Sequence, residues 1–478
     1  MRLILLIVAM ACGPDSMPVV DTHNPADDTS ITMDSGQTEE TASYESAEVC
    51  AECHPVHYEQ WRQSMHAYAA RSPVFDAMAA KAYRDTAGEI GTFCTGCHSP
   101  FGEENGESGA LVSSQRSDMS NEGVSCDYCH TAVDHDGQIG NNRLLNLPGD
   151  LKLGPFDNAS DDEHPSLRSE FITSPEFCGS CHDVYKFPGL QIEQAYTEYA
   201  SSPSAAAGQR CQDCHMSPTP GVDSARAYGP IAVVDGIEYP SREMSDHSFV
   251  GPDYSLIDDF PYPDDLEASA LAQDAYLEQV QSLLQASVRI QDVHVELMDD
   301  GETTELVVTL ESLVAGHNVP TGFTSERQLW LHIEAKNRAG DLLWETGDLD
   351  DDQNLRDHHS HQVIEGEVEV DEELVNLQSS NIYIVRHHID NGSLQSSEDR
   401  FETSTIFPFD AQSIIRHSLE PLEVREYRWE IENIDTDATF SVALRYRSMP
   451  PYVLQALRLD ELLDRVQIFT IDTAERGF

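Results

Sequence analysis

Ten of the chain's eleven cysteines stand in five copies of one pattern, two cysteines separated by two residues with a histidine directly after the second. The copies are Cys50, Cys53 and His54; Cys94, Cys97 and His98; Cys126, Cys129 and His130; Cys178, Cys181 and His182; and Cys211, Cys214 and His215. Two thiols at that separation can add across the two vinyl groups of one porphyrin, and the adjacent histidine then lies under the iron as an axial ligand. A random arrangement of the same residues would give on the order of 0.01 such copies in the whole chain. Five copies point to five covalently attached haem c groups. Paired thiols also bind zinc or form disulfides, but five pairs each followed at once by histidine match neither a four-ligand zinc site nor a disulfide framework.

Fifteen histidines remain, and they decide what closes each iron. A second imidazole gives a closed haem suited to electron transfer, whereas an open position admits substrate chemistry. His66 is the leading distal candidate, because it follows His54 by one stretch of apparent helix that also carries Trp61 and Tyr68, aromatic rings able to pack on a porphyrin. His164, in a Pro-bearing loop ahead of Cys178, and His247, just before Phe249 and Gly251, are the next candidates. His135 lies between Asp134 and Asp136, and a solvent-facing loop is an equally natural place for it. His317 sits in a loop stiffened by Pro320 between Gly316 and Gly322, a setting that fixes the direction of its ring. Competing donors are His23, His294, His332, the cluster His358, His359 and His361, the pair His387 and His388, and His417. His57, three residues past a proximal ligand, is expected at the surface, and Met216 cannot reach the far side of the haem that His215 serves.

The elements that must position these groups divide the chain. Residues 1–12 form a short export signal: Arg2 supplies the charge, Leu3 to Met10 the apolar run, and Ala9-Met10-Ala11-Cys12 looks like a lipobox, with Cys12 as the acylated residue. Residues 13–48 are acidic and polar without apolar periodicity and read as a disordered tether. Residues 49–260 hold all the motifs at unequal spacing, with broken helices over Pro55 to Arg71, Pro73 to Arg84 and Gln191 to Ala200, so that the macrocycles themselves must supply most of the core. Residues 261–287 read as a connecting helix. From 288 to 478 alternating runs predict an antiparallel β-sandwich without cysteine, with strands over Val288 to Leu297, Thr303 to Leu310, Leu329 to Ala335, Leu342 to Trp344, Ile382 to Val385, Leu422 to Ile431, Thr439 to Tyr446 and Val466 to Ile471. Hairpin turns are expected at Asp300-Gly301 and Ala339-Gly340. The fold class is therefore α+β and multidomain, a mostly helical or irregular multihaem cytochrome domain followed by a β-sandwich.

With 28 basic against 85 acidic side chains the net charge is −57. Such a surface repels nucleic acid. It suits hydration in high salt, and it would also steer a basic redox partner. No later segment is apolar enough to span a bilayer, so membrane contact is expected only through a lipid anchor.

The motif segments resemble the cytochrome c-554 type of multihaem cytochrome. The resemblance is carried by Cys50 to Ala67 with Tyr58, Trp61, Ser64 and His66; by Gly123-Val124-Ser125-Cys126 with Cys129-His130; by Phe177-Cys178-Gly179 with Cys181-His182-Asp183; and by Gly208 with Cys211 to Met216. It implies an electron carrier, with His66, His164 and His247 as distal ligands. Five motifs and a β-rich second half depart from the four-haem members. The phrase Gly316 to Gly322 resembles one found beside haem regions in large exported cytochromes. The expected function is electron transfer through mostly bis-histidine haems in a periplasmic or outer-membrane-anchored lipoprotein, without catalytic residues. Its partners would be redox proteins such as basic cytochromes, or an extracellular acceptor. The rival is a pentahaem reductase of nitrite, hydroxylamine or a sulfur oxyanion; no CxxCK, the usual mark of the active haem in nitrite reductases, occurs here.

Overall fold

A motif of five residues makes one helical turn, which brings the cysteines at i and i+3 and the histidine at i+4 to one side. The computed structural model builds the motifs that way. His54 N–H donates to the Cys50 carbonyl at 2.8 Å, His98 to Cys94 at 3.3 Å and His182 to Cys178 at 3.0 Å. The structure describes residues 43–478 apart from 158, 160–162, 187, 365, 367 and 390–396, and the side chains of 385–401 are likewise outside the described set. The export signal with Cys12, most of the tether with His23, and the His387 and His388 side chains therefore lie outside the described residues.

Between the motifs the chain is broken as expected, with differences that have local causes. The single helix predicted over Pro55 to Arg71 is two, Pro55–Arg62 and Met65–Tyr68, because the Ser64 hydroxyl accepts the Ala67 N–H at 3.4 Å and starts a new helix there. Ser72 caps Pro73–Asp85 in the same manner, with proline in the first turn where its missing N–H costs nothing. Gln191 lies in a strand, Leu190–Glu193, paired with Val184–Lys186, and the helix begins only at Ala195. Five two-stranded sheets decorate this half among the described residues. Its own apolar cluster is small: Ala47, Trp61, Ala67, Tyr68 and Phe260.

The second half is built differently. Helix Leu266–Ser287 is capped by Asp265 and buries Tyr276, Val280, Leu283 and Leu284, one face at helical spacing. It runs without a linker into strand Val288–Leu297. That strand pairs with Thr303–Ser312, which pairs with Val424–Glu432. A second antiparallel sheet runs in the order Leu342–Thr346, Gln328–Lys336, Thr439–Arg447, Phe469–Gly477. Val295, Leu306, Leu310 and Trp429 of the first sheet share one apolar core with Leu331, Ile333, Phe440, Leu444 and Ile471 of the second, the packing a sandwich requires. A third sheet joins Ser380–Ile389 to Ser397–Ser404 and Ser413–Ile415. The hairpin at Asp300-Gly301 forms, with Asp300 accepting the Glu302 and Thr303 N–H groups at 2.9 Å. The last strand starts at Phe469, three residues later than the alternation suggests, because Asp460–Arg465 is wound as a 3-10 helix just before it.

Residues Ala42–Phe478 form one compact unit. Ser204 N–H donates to the Ala315 carbonyl at 3.1 Å, the Lys186 ammonium to the Ala411 carbonyl at 2.7 Å, and Arg416 to the Gln191 carbonyl at 2.8 Å, so the sheets and the motif region are tied by main-chain acceptors. No helix among the described residues is long and apolar enough to cross a membrane.

Candidate haem-binding cavity

All five motifs open into one continuous cavity of about 1750 Å³. Its wall holds the ten motif cysteines, the five motif histidines, and His57, His66, His164, His247 and His317. The loop of residues 313–327, from the sheet-rich half, closes one side.

Within this wall four motif histidines each stand across from a histidine remote in sequence; His54 also lies 6.2 Å from His57, three residues further on, with the rings edge-on at 74°. Ring centroids are 6.4 Å apart for His54 and His164, 6.2 Å for His66 and His182, 6.5 Å for His130 and His247, and 6.1 Å for His215 and His317. Two metal–nitrogen bonds of about 2 Å each, with about 1 Å from each nitrogen to its ring centre, require a separation of about 6 Å for two imidazoles sharing one metal. The four pairs have that separation.

In five of these eight histidines the other ring nitrogen is engaged as a metal ligand's should be, held by an outer partner that fixes the ring plane. Nδ1 of His54 contacts the Ile231 carbonyl at 2.7 Å, His130 that of Leu153 at 2.6 Å, His247 that of Ser245 at 2.9 Å, His317 that of Asn318 at 2.9 Å and His164 that of Pro165 at 3.3 Å. Each leaves Nε2 for the cavity. His182 differs: burial pulls its pKa down, but the Glu193 carboxylate, 3.4 Å from Nδ1, outweighs this and leaves it raised. Burial lowers His66 and His247 to about 3 and His215 to about 4, which keeps them as the neutral imidazoles a metal needs.

A short helix, Met65–Tyr68, delivers His66 and a loop delivers His317. His66 is held where its carbonyl accepts the Val124 N–H at 3.0 Å, while Trp61 donates to the Val124 carbonyl at 2.8 Å. Gly123 permits this contact: its φ is +71°, and a Cβ there would lie 2.2 Å from the His66 oxygen. The His317 loop is pinned by Glu198, which accepts the Asn318 N–H at 3.1 Å and the Thr321 hydroxyl at 2.6 Å.

The structure departs from the sequence reading at two histidines. His135 does not line the cavity and is not brought to any motif histidine; its Nδ1 accepts the Gly137 N–H at 3.0 Å on the hairpin between Ala132–His135 and Leu144–Asn146, the loop setting its aspartate neighbours favour. His57, expected at the surface, is in the cavity wall, edge-on to His247 at 4.9 Å, and burial lowers it to about 4. The remaining motif histidine, His98, has no facing histidine at ligand distance among the described residues. Phe75 stacks flat on it at 4.3 Å, and Arg116 lies over Phe75 while ion-paired to Asp76 at 2.8 Å, so its plane is fixed by packing. Of the competing donors, His332 is engaged by Glu345, His358 by Glu372 and His361 by the Val368 carbonyl; these three, His294, His359 and His417 are all outside the cavity wall.

The motifs are also close to one another. The Cys50 thiol meets that of Cys126, Cys97 that of Cys181, and Cys178 that of Cys211. This contact pattern joins the first motif to the third, the second to the fourth and the fourth to the fifth. The wall thus fits haem c in its donor set, ring separations and apolar volume.

Residues 49–131 match the family model "Cytochrome c554 and c-prime". No curated protein matches the chain. Among solved structures, the penta-heme cytochrome c552 from Thermochromatium tepidum is similar in fold, with a TM-score of 0.57 at 18% identity, over 91% of this chain and 99% of that one. The likeness therefore runs through the sheet-rich half as well as the motif region. With the five motifs, these findings support a multihaem c-type cytochrome with haem c as cofactor.

Proposed function

We propose that the chain binds five haem c groups and passes electrons among them, four irons being closed by histidine pairs and one left open. The observation that carries this is the set of four imidazole pairs at 6.1 to 6.5 Å. Bound haem iron takes up and gives back one electron at a time, and its potential follows its ligands and burial. The chain's own residues do the rest. The motif cysteines tether each group. His54, His130, His182 and His215 hold one face, and His164, His247, His66 and His317 the other. Main-chain carbonyls on Nδ1 of His54, His130, His164, His247 and His317, and the Glu193 carboxylate on His182, keep those rings from turning, and the close-set motifs keep the groups near enough for transfer.

The absence of a facing histidine at His98 among the described residues favours a second reading for that site alone, an iron able to take a small ligand such as nitrite or hydroxylamine. The purified protein is expected to exceed the processed polypeptide by the mass of five haems, to show four low-spin irons and one high-spin iron, and to bind one carbon monoxide per chain when reduced. Five low-spin irons with no carbon monoxide uptake would overturn the open site. Steady turnover of nitrite or hydroxylamine would make the protein a reductase.

Export and anchoring through Cys12 belong to the same proposal and rest on the sequence. A Cys12→Ser variant is expected to lose palmitate labelling and move to the soluble fraction; a wild type without label would remove the anchor.

A further inference from the structure

Electrons must enter and leave a buried array somewhere, at a motif whose edge reaches the surface. The first motif is joined by thiol contact to the third alone. At the first, the outward cysteine is Cys53. Its carbonyl accepts the Val233 N–H at 2.8 Å, which docks the hairpin Val233–Val234 and Ile237–Glu238 against the motif. The tip of that hairpin, Asp235-Gly236, has both residues at positive φ, the geometry of a tight two-residue turn.

Around Cys53 the surface has a definite make-up. Ile237 is 70% exposed, Val49 52% and Val56 48%, three apolar side chains on elements that meet at this motif. Glu163, Glu52 and Asp235 lie close to the Cys53 sulfur. None of the three carboxylates is ion-paired among the described residues. At the fifth motif the charge is partly compensated: Asp213 beside Cys214 is paired with Arg210 at 2.7 Å and faced by Arg226 at 3.7 Å, while Asp223 also acts on Cys214. The Cys53 edge therefore presents exposed apolar side chains beside carboxylates that have no ion pair among the described residues. Small, weakly held electron-transfer contacts have this composition, with charge guiding the encounter and little area buried.

We propose that the Cys53 edge is the docking port for a soluble, positively charged one-electron carrier protein. This rests on the first motif holding a haem, as proposed above. One electron crosses per encounter: the carrier's centre is oxidised and the first-motif iron reduced, or the reverse, with no atom transferred.

The test compares two variants of the full haem-loaded protein. In the first, Glu52→Gln, Glu163→Gln and Asp235→Asn neutralise the three carboxylates. In the second, Asp299→Asn, Glu430→Gln and Glu432→Gln remove the same charge from exposed positions at the far end of the sheets. The probe is a small basic c-type cytochrome, followed by stopped-flow electron exchange over a range of ionic strength and by carbodiimide cross-linking with mapping of the joined peptides. The first variant is expected to exchange electrons about tenfold more slowly at low salt, with a flatter salt dependence, while the control variant matches wild type. Cross-links should fall on Glu52, Glu163 or Asp235. Equal rates for both variants, or cross-links gathered elsewhere or between copies of this chain, would overturn the port. A wild type lacking haem at Cys50 and Cys53 by peptide mass would instead defeat the underlying haem assignment, so the two failures are distinguishable.

Discussion

Chain made without haem attachment is expected to have no stable structure over residues 43–260, with protease resistance confined to a fragment starting near Asp265. The two halves differ in what fills them. The sheet-rich half has a continuous protein core including Leu306, Leu331, Ile333, Phe440 and Leu444, all fully buried. The motif half has an apolar cluster of five residues around a cavity of about 1750 Å³. Without haem that cavity is solvated, and water leaves its apolar wall, Trp61, Phe75, Phe249 and Val250 among it, without a packing partner. Replacing all ten motif cysteines with serine, followed by limited proteolysis and far-ultraviolet circular dichroism, checks the expectation. Equal resistance of both halves would show that the motif region folds on protein contacts alone.

That asymmetry also explains how much was legible in the sequence. Strands such as Thr303–Ser312 and Thr439–Arg447 carry the period-2 alternation that a half-buried sheet imposes, and most were readable to within a few residues. The five motifs were readable because covalent chemistry dictates their spacing. Between them, alternation is no guide, because much of what the chain packs against is a ligand and not other chain. The short hairpins of this half, such as Val184–Lys186 with Leu190–Glu193, went unread for that reason. His135 and His57 show the same limit. Both are histidines near motifs, and only the path of the backbone sends one onto a hairpin and the other into the wall. Two glycines in the family-like phrases did carry a signal, since each allows a close approach that a side chain would block: Gly123 against the His66 carbonyl, and Gly179, where a Cβ would lie 2.4 Å from the Tyr196 ring.

Replacing His317 with alanine is expected to convert one low-spin haem to high-spin, raising the count of high-spin irons from one to two and leaving the other three closed irons unchanged. His317 lies in a loop of the sheet-rich half, yet its ring faces His215 of the fifth motif at 6.1 Å with only 22° between the planes. Its Nδ1 is turned to the Asn318 carbonyl, so Nε2 is the atom presented to the cavity. The loop is held from the motif side by Glu198, which is buried and bonded to both Asn318 and Thr321. A Glu198→Gln variant keeps the shape but weakens an acceptor of two hydrogen bonds, and it should loosen the loop without removing the donor: a mixed spin state at one haem that sharpens to low-spin on cooling. Added imidazole should close two high-spin irons in the alanine variant against one in the wild type, the extra one being the vacated position, a rescue that a merely misfolded protein would not show. An alanine variant with an unaltered count of high-spin irons would mean that another donor closes the fifth-motif haem. The sheet-rich half would then be joined to the array by packing alone, and its tie through Ser204, Lys186 and Arg416 would have no bearing on the iron.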